Sequence, residues 1–299
     1  MSGVDTTKQP TGLSQYTAAA EAAANEVIRA YSTSFGWATR LLSPAVRQPV
    51  RNIYALVRVA DEIVDGAAAE ASARGGAIDP ASALDSYEAS VYQAITDGFA
   101  TDLVIHAFAL TANDCGFGRE LIEPFFASMR ADLVQHEHDA ESLARYIYGS
   151  AEVVGLMCLA AFLRHAPRSY SRDEKLTLAE GAKALGSAFQ KVNFLRDLAA
   201  DFNSLGRSYF PGVTVTSFTD ADRDRLVAEI DSEITIAAAQ LPNLPVNCAK
   251  AVNAALLIFG ALNAKIAATP ARKLATTRIR VSNARKFLIL LQAVTRRPQ

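Results

Sequence analysis

NIYALVRVADEIVDG (52–66) sets a helical apolar period against a cluster of acids, and its reading decides the fold. Positions four and seven apart share one face of an α-helix, so Tyr54, Arg58, Asp61 and Asp65 form one stripe, with Glu62 turned away by about 100°. Ile53, Leu56 and Val57 give the rest of the segment the look of an interior helix. A second stretch repeats the pattern. In QKVNFLRDLAAD (190–201), Asn193, Asp197 and Asp201 stand at i, i+4 and i+8, beside Gln190 and Arg196 and among Val192, Phe194, Leu195 and Leu198. Acids at this spacing on an exposed face repel one another by only a few tenths of a kcal/mol, so either ladder alone reads equally well as a solvated surface. If buried, unpaired carboxylates cost several kcal/mol each, and something cationic must sit between them. Oxygen donors without a neighbouring His or Cys suit Mg²⁺, or Mn²⁺, which completes its shell with phosphate oxygens of a substrate. A diphosphate between two acid-bearing helices accounts for both stretches, and Arg58, Arg196 and Arg207 are candidate phosphate donors that never lose their charge.

The remaining sequence agrees with an all-α protein. Ala-rich segments of helical period recur, as in AAAEAAANEVIRAYSTSF, SALDSYEASVYQAIT and DLVIHAFALTAND, while alternating strand patterns with hairpin turns are nearly absent. Breaks are expected at 42–44, 66–80, 164–169, 203–217 and 241–247. None is a long linker, so the expected organisation is a tail over residues 1–15 followed by a single helical domain over 16–295.

Composition narrows the function. Thirty Lys and Arg balance 31 Asp and Glu in 299 residues, which gives no global reason to expect nucleic acid as a partner. Cys115, Cys158 and Cys248 are scattered and odd in number, against a disulfide framework or a CxxC zinc site. The N-terminus lacks a signal-peptide layout, and the apolar run VVGLMCLAAFL (153–163) is short of the roughly 20 residues that span a bilayer. A cytoplasmic, soluble or peripheral protein is the expectation. From residue 271 onward the chain carries Arg272, Lys273, Arg278, Arg280, Arg285, Lys286, Arg296 and Arg297 without an acid. That stretch reads as the solvated basic face of a core helix or as a contact for anionic lipid or a ligand phosphate, which leaves peripheral membrane association open.

Other candidates are weaker. His136 and His138 in QHEHDAES do not have the HExxH spacing and read as a polar loop or helix end, and CGFGREL lacks the strand and full glycine pattern of a dinucleotide site. Phe35, Phe125, Phe126 and Phe189 read as core. The small residues Gly149, Ser150, Ala151 and Gly155 in YIYGSAEVVGLM permit either close helix packing or room for an apolar tail.

Taken in order, YSTSF (31–35), NIYALVRVADEIVDG (52–66), MRADL (129–133), YIYGSAEVVGLM (146–157), FQKVNFLRDLAADF (189–202) and LGRSYFP (205–211) resemble the head-to-head trans-isoprenyl diphosphate synthases, that is, the squalene and phytoene synthases. The similarity covers roughly residues 25–290 and is greatest to bacterial, especially actinobacterial, phytoene synthases. It implies an isoprenoid-synthase helical fold with a central apolar cavity. It also implies Mg²⁺-dependent condensation of two geranylgeranyl diphosphates, through prephytoene diphosphate, to phytoene, without NADPH. By position, Asp61, Asp65, Asn193, Asp197 and Asp201 would hold the metal, and Ser32, Ser34, Tyr54, Arg58 and Arg207 the diphosphate. Tyr146 would act near the reacting carbons and Gln190 would line the same site. Thr33, Ala200 and Phe259 depart from residues common in relatives. The rivals are a squalene or dehydrosqualene synthase using farnesyl diphosphate, and a non-catalytic scaffold, which has no need of buried metal ligands.

Overall fold

Thr11 caps the first helix by accepting the backbone N–H of Ser14, and α1 (Gly12–Tyr31) therefore starts inside the segment expected to be a tail. The computed structural model describes residues 11–200 and 206–295; the side chains of residues 33–35, 200, 283, 287, 290, 291, 294 and 295 lie outside that description. Asp201, Arg296 and Arg297, and the side chains of Ser34, Thr33 and Ala200, thus fall outside the described residues.

The expected helices form. They are α2 (Thr33–Thr39), α3 (Pro44–Val64), α4 (Ala67–Ala73), α5 (Pro80–Asp97), α6 (Leu103–Cys115), α7 (Arg119–Val134), α8 (Ala140–Ile147) and α9 (Val153–Arg164). The chain continues through α10 (Arg172–Ala200), α11 (Asp220–Ala239), α12 (Ala249–Ala267), α13 (Ala271–Leu274) and α14 (Asn283–Thr295). Their ends follow local chemistry. Pro44 and Pro80 occupy first-turn positions whose N–H groups have no helical partner, Asp79 and Asp102 cap α5 and α6, and Gly98 and Gly116 close them. The expected break at 66–80 contains the short α4, because Ala67–Ala73 is Ala-rich and Glu62 accepts the Ala67 N–H at its start. Among the described residues the β-structure is an isolated bridge between Glu137 and Ser208.

Two large apolar clusters, with two smaller ones beside them, fill the bundle among the described residues. One packs α3, α5, α6, α7 and α9 around the fully buried Phe108, Phe125 and Phe126, so the last two are core as expected. The other packs α8, α10, α11 and α12 with the 209–218 segment. Residues Tyr148–Glu152 are a π-helical turn that joins α8 to α9 without a break. Ala140–Arg164 thereby becomes a continuous stretch of 25 residues, long and apolar enough to cross a bilayer on length and composition, as is Ala249–Ala267. The sequence reading counted only its 153–163 portion; here the stretch is built into the bundle against α7 and α10.

Small residues make that packing close. A Cβ on Gly149 would collide with the main-chain carbonyl of Pro124 on α7 and with the Ser128 hydroxyl, and one on Gly155 would stand 2.6 Å from the Ala182 carbonyl on α10. Tight packing is therefore the use of these glycines in the structure. Because the obstructing atom is backbone, Gly149→Ala is expected to lower unfolding stability by about 1–3 kcal/mol, read from the denaturation midpoint. An unchanged midpoint would show that α7 and the π turn can separate freely.

Candidate active site

The acid stripe occupies the C-terminal half of α3, with Asp65 as its C-cap. Arg58 pairs with Asp61, lies 3.3 Å from Glu62 and rests 5.1 Å over the Tyr31 ring. Tyr54, one turn earlier, also bonds Arg58. Glu62 is thus not simply turned away: it shares Arg58 and holds the start of α4. Burial pushes the Asp61 carboxyl above the usual carboxylate range; Arg58 opposes this, and the charges of Asp65 and Glu62 add to it. The site is short of positive charge for the carboxylates it gathers.

Arg207 is the deepest cation. Gly206, at φ 65°, supplies a left-handed turn just before it, and the Ser208 N–H donates to the His136 carbonyl at 2.8 Å. Held this way, the Arg207 side chain is only 5% exposed and forks onto Asp65, with Nη1 donating to Oδ2 at 2.7 Å. Its Nη2 donates to the other Asp65 oxygen and to the Asp132 main-chain carbonyl, and Nη1 lies 3.4 Å from the Asp132 carboxylate. Burial works against the guanidinium charge, but the bond to Asp65 and the charge of Asp132 outweigh it and the net shift is upward. Arg207, a candidate diphosphate donor from the sequence, holds Asp65 and Asp132 together in the structure.

Asp132, on α7, accepts the Tyr146 hydroxyl, with both carboxylate oxygens 2.9 Å from Oη. Burial lifts Asp132 to about 7, with Arg207 opposing and the negative charge of Asp65 adding. Tyr146 itself is pushed well above the ordinary phenol range, by burial first and then by Asp132, so it remains a phenol at neutral pH. Around the pair lies an aromatic wall. Phe194 of α10 stacks on Tyr209 at 3.9 Å, Tyr209 lies 5.5 Å from Tyr146, and the His138 ring lies 5.1 Å from Tyr146 and 5.8 Å from Tyr209. His138 does lie in the loop expected for QHEHDAES, yet its side chain is buried against these tyrosines, and burial pushes its pKa below the ordinary imidazole range.

The second ladder runs along α10. Gln190, Asn193 and Asp197 fall on one face, Asp197 is paired by Arg196 and by Arg278 (Nε to Oδ1, 2.7 Å), and Asn193 Oδ1 is buried with no hydrogen-bond partner among the described residues. Arg196 therefore neutralises Asp197 here, and Arg278 of the basic C-terminal stretch reaches the same carboxylate from the solvent side, half exposed. A chain of contacts, Asp65 to Arg207 to Tyr209 to Phe194, links the end of α3 to α10. Ser32 ends α1, its N–H bonded to the Ile28 carbonyl. Phe259 stacks on Phe189 at 3.6 Å.

The donors available for a cation are oxygen throughout: Asp61 and Asp65 on α3, Asn193 and Asp197 on α10. A buried amide oxygen left without a donor costs about 1–3 kcal/mol, and it is the atom type a hard divalent ion accepts. The residues present therefore fit such an ion. Sequence reasoning missed Asp132, His138 and Tyr209. Asp132 and Tyr209 lay within the quoted MRADL and LGRSYFP segments, but their partners are remote in sequence.

The squalene/phytoene synthase family profile matches residues 28–285. Maize phytoene synthase 3 is 32% identical over 66% of this chain and 44% of its own length, so the chain spans under half of that relative. The phytoene synthase of Arthrospira platensis is 29% identical over 69% of this chain and 65% of its own, and the 15-cis-phytoene synthase of a Paracoccus strain 28% over 81% and 80%. In fold, the chain is similar to a dehydrosqualene synthase crystal structure (TM-score 0.75, 20% identity, 94% of this chain and 97% of that one). It is likewise similar to a squalene synthase from Alicyclobacillus acidocaldarius (TM-score 0.70, 20% identity, 88% and 97%).

Arg207 makes one test of the site independent of any ligand. Removing one partner of a buried ion network leaves the others uncompensated, so Arg207→Ala is expected to destabilise the fold by about 3–5 kcal/mol in denaturant titration. A loss under about 1 kcal/mol would mean that Asp65 and Asp132 need no buried cation.

Proposed function

Because the chain belongs to the squalene/phytoene synthase family, we propose that it catalyses the divalent-metal-dependent, head-to-head condensation of two geranylgeranyl diphosphates, through prephytoene diphosphate, to phytoene. The observation that supports the reading is the buried Asn193 oxygen, without a hydrogen-bond partner among the described residues, one turn before Asp197 on α10, with Asp61 and Asp65 at the end of α3 linked to that helix by the contacts given above. Those four residues would hold Mg²⁺, with Asp201 extending the ladder by sequence alone. When bound, the ion supplies charge neutralisation for the leaving pyrophosphate.

The chain's own residues do the rest. Arg58 and Arg196, now paired to acids on their own helices, are the guanidinium groups that can exchange a carboxylate for a phosphate oxygen without losing charge. Tyr54, bonded to Arg58, and Ser32, next in the chain to the Tyr31 ring on which Arg58 rests, would serve as hydroxyl donors. Arg207 keeps Asp65 oriented. Phe194, Tyr209 and Tyr146 form a dry aromatic wall that excludes water and whose faces favour a delocalised carbocation. The Tyr146 oxygen can take a substrate proton while its own passes to Asp132, whose affinity for protons near neutrality suits a general base. Burial at the junction of α7, α8 and α10 fixes that pair in place.

Incubation of the purified chain with geranylgeranyl diphosphate and Mg²⁺ tests the reading. A C40 hydrocarbon that disappears with chelator is expected, and NADPH should leave the product unchanged. A C30 product formed only from farnesyl diphosphate would reassign the substrate, and no condensation with either diphosphate would remove the activity. Asp61→Ala and Asp197→Ala are each expected to lower turnover by about 10²–10³-fold with helical content retained, and wild-type rates in either would refute their role. Tyr146→Phe should reduce product by about 10²-fold while magnesium pyrophosphate still binds; a normal yield would take Tyr146 out of the chemistry.

A further inference from the structure

The ends of α6 and α9 meet away from the acid ladders. Arg164, the last residue of α9, crosses to the end of α6, where its Nε donates to the Asp114 carbonyl at 2.8 Å and to Oδ1 at 3.0 Å, and its Nη2 donates to Oδ1 at 2.8 Å. That grip fixes the carboxylate and leaves Oδ2 facing His165 Nε2 at 3.5 Å. His165, the C-cap of α9, is anchored in turn by Asn247, whose amide donates to its carbonyl at 2.7 Å. Its Nε2 is buried and has no hydrogen-bond partner among the described residues. Cys115 adds a sulfur, and the three donor atoms of Asp114, Cys115 and His165 all lie within 4.8 Å of one another.

The spacing is informative. A hydrogen bond would draw the imidazole nitrogen and the carboxylate oxygen to about 2.7–3.2 Å. Two ligands held at about 2.0–2.1 Å by a tetrahedral ion stand about 3.3–3.5 Å apart, which is the separation of Oδ2 and Nε2. One sulfur, one imidazole and one carboxylate form a borderline-soft set that selects zinc over magnesium, the reverse of the all-oxygen ladders. We propose that Asp114, Cys115 and His165 form a zinc site that pins the end of α6 to the end of α9. Cys115 binds as the thiolate, its proton leaving to solvent. Arg164 holds the carboxylate oxygen that does not ligate, an outer contact of the kind that orients metal ligands. Asp114 and His165 also line an open cleft of about 350 Å³ that meets α3 at Gln48 and Asn52, so a fourth position is open to water. At 1.5 Å per residue that part of α3 lies about 14–20 Å from Asp61, which separates the site from the acid constellation.

The test uses the full chain, stripped of metal and held in excess Mg²⁺ so that the oxygen ladders are saturated, and titrates it with Co²⁺ as a coloured substitute for zinc. One equivalent of Co²⁺ should give a thiolate-to-cobalt charge-transfer band that Zn²⁺ abolishes. Cys115→Ser should lose the band, His165→Ala should weaken binding by more than the roughly 10–100-fold that loss of an outer contact costs, and Asp61→Ala should leave both unchanged. Absence of the band in the unaltered chain, or its survival in Cys115→Ser, would overturn the proposal.

Discussion

One guanidinium holds the site together. Arg207 is nearly sealed from solvent and reaches Asp65 at the end of α3, the Asp132 carboxylate and the Asp132 main-chain carbonyl on α7. Two buried carboxylates cannot stand this close without a fixed positive charge between them, because each would protonate or force the helices apart. Arginine suits the task where lysine would not, since its planar fork satisfies Asp65 with two donors and has a third bond to offer. The backbone pairing of Ser208 with His136 then carries the adjacent Tyr209 onto Phe194, and so ties α10 to the same point.

From that point the electrostatics of the constellation follow. Asp61 and Asp197 are balanced by arginines on their own helices, Arg58 and Arg196, and Asp197 also by Arg278. These side chains are partly exposed and can change partner, whereas Arg207 cannot move without disrupting both α3 and α7. Asn193 stands apart because it is neutral: leaving its oxygen without a partner is far less costly than leaving a carboxylate so. A fold can keep such an amide ready for a ligand. The raised carboxyl of Asp132 comes first from its burial, which Arg207 opposes and the charges of Asp65 and Asp61 reinforce.

The sequence made the two ladders legible because i, i+4 spacing is a local property of a helix, and the helices themselves came with caps, prolines and apolar period. What it hid was long-range. Arg207 lies far along the chain from Asp65, and nothing in LGRSYFP says that its arginine faces acids instead of solvent. Asp132 sits in a short segment whose spacing shows no second acid, and its meaning depends on Tyr146 arriving from α8. His138 looked polar from its neighbours, yet its ring fills a gap between two tyrosines. The close approach at Gly149 was open to two readings, and only the position of the Pro124 carbonyl decides between them.

The central claim is that oxygens from α3 and α10 grip one metal-diphosphate ligand jointly. Electron paramagnetic resonance of Mn²⁺ bound in the presence of inorganic pyrophosphate tests it most directly, in the unaltered chain, in Asp61→Ala, in Asn193→Ala and in the double variant. The account predicts pyrophosphate-dependent binding that either single change largely removes, with little further loss in the double variant. Independent, additive losses, or pyrophosphate binding that ignores the metal, would contradict it.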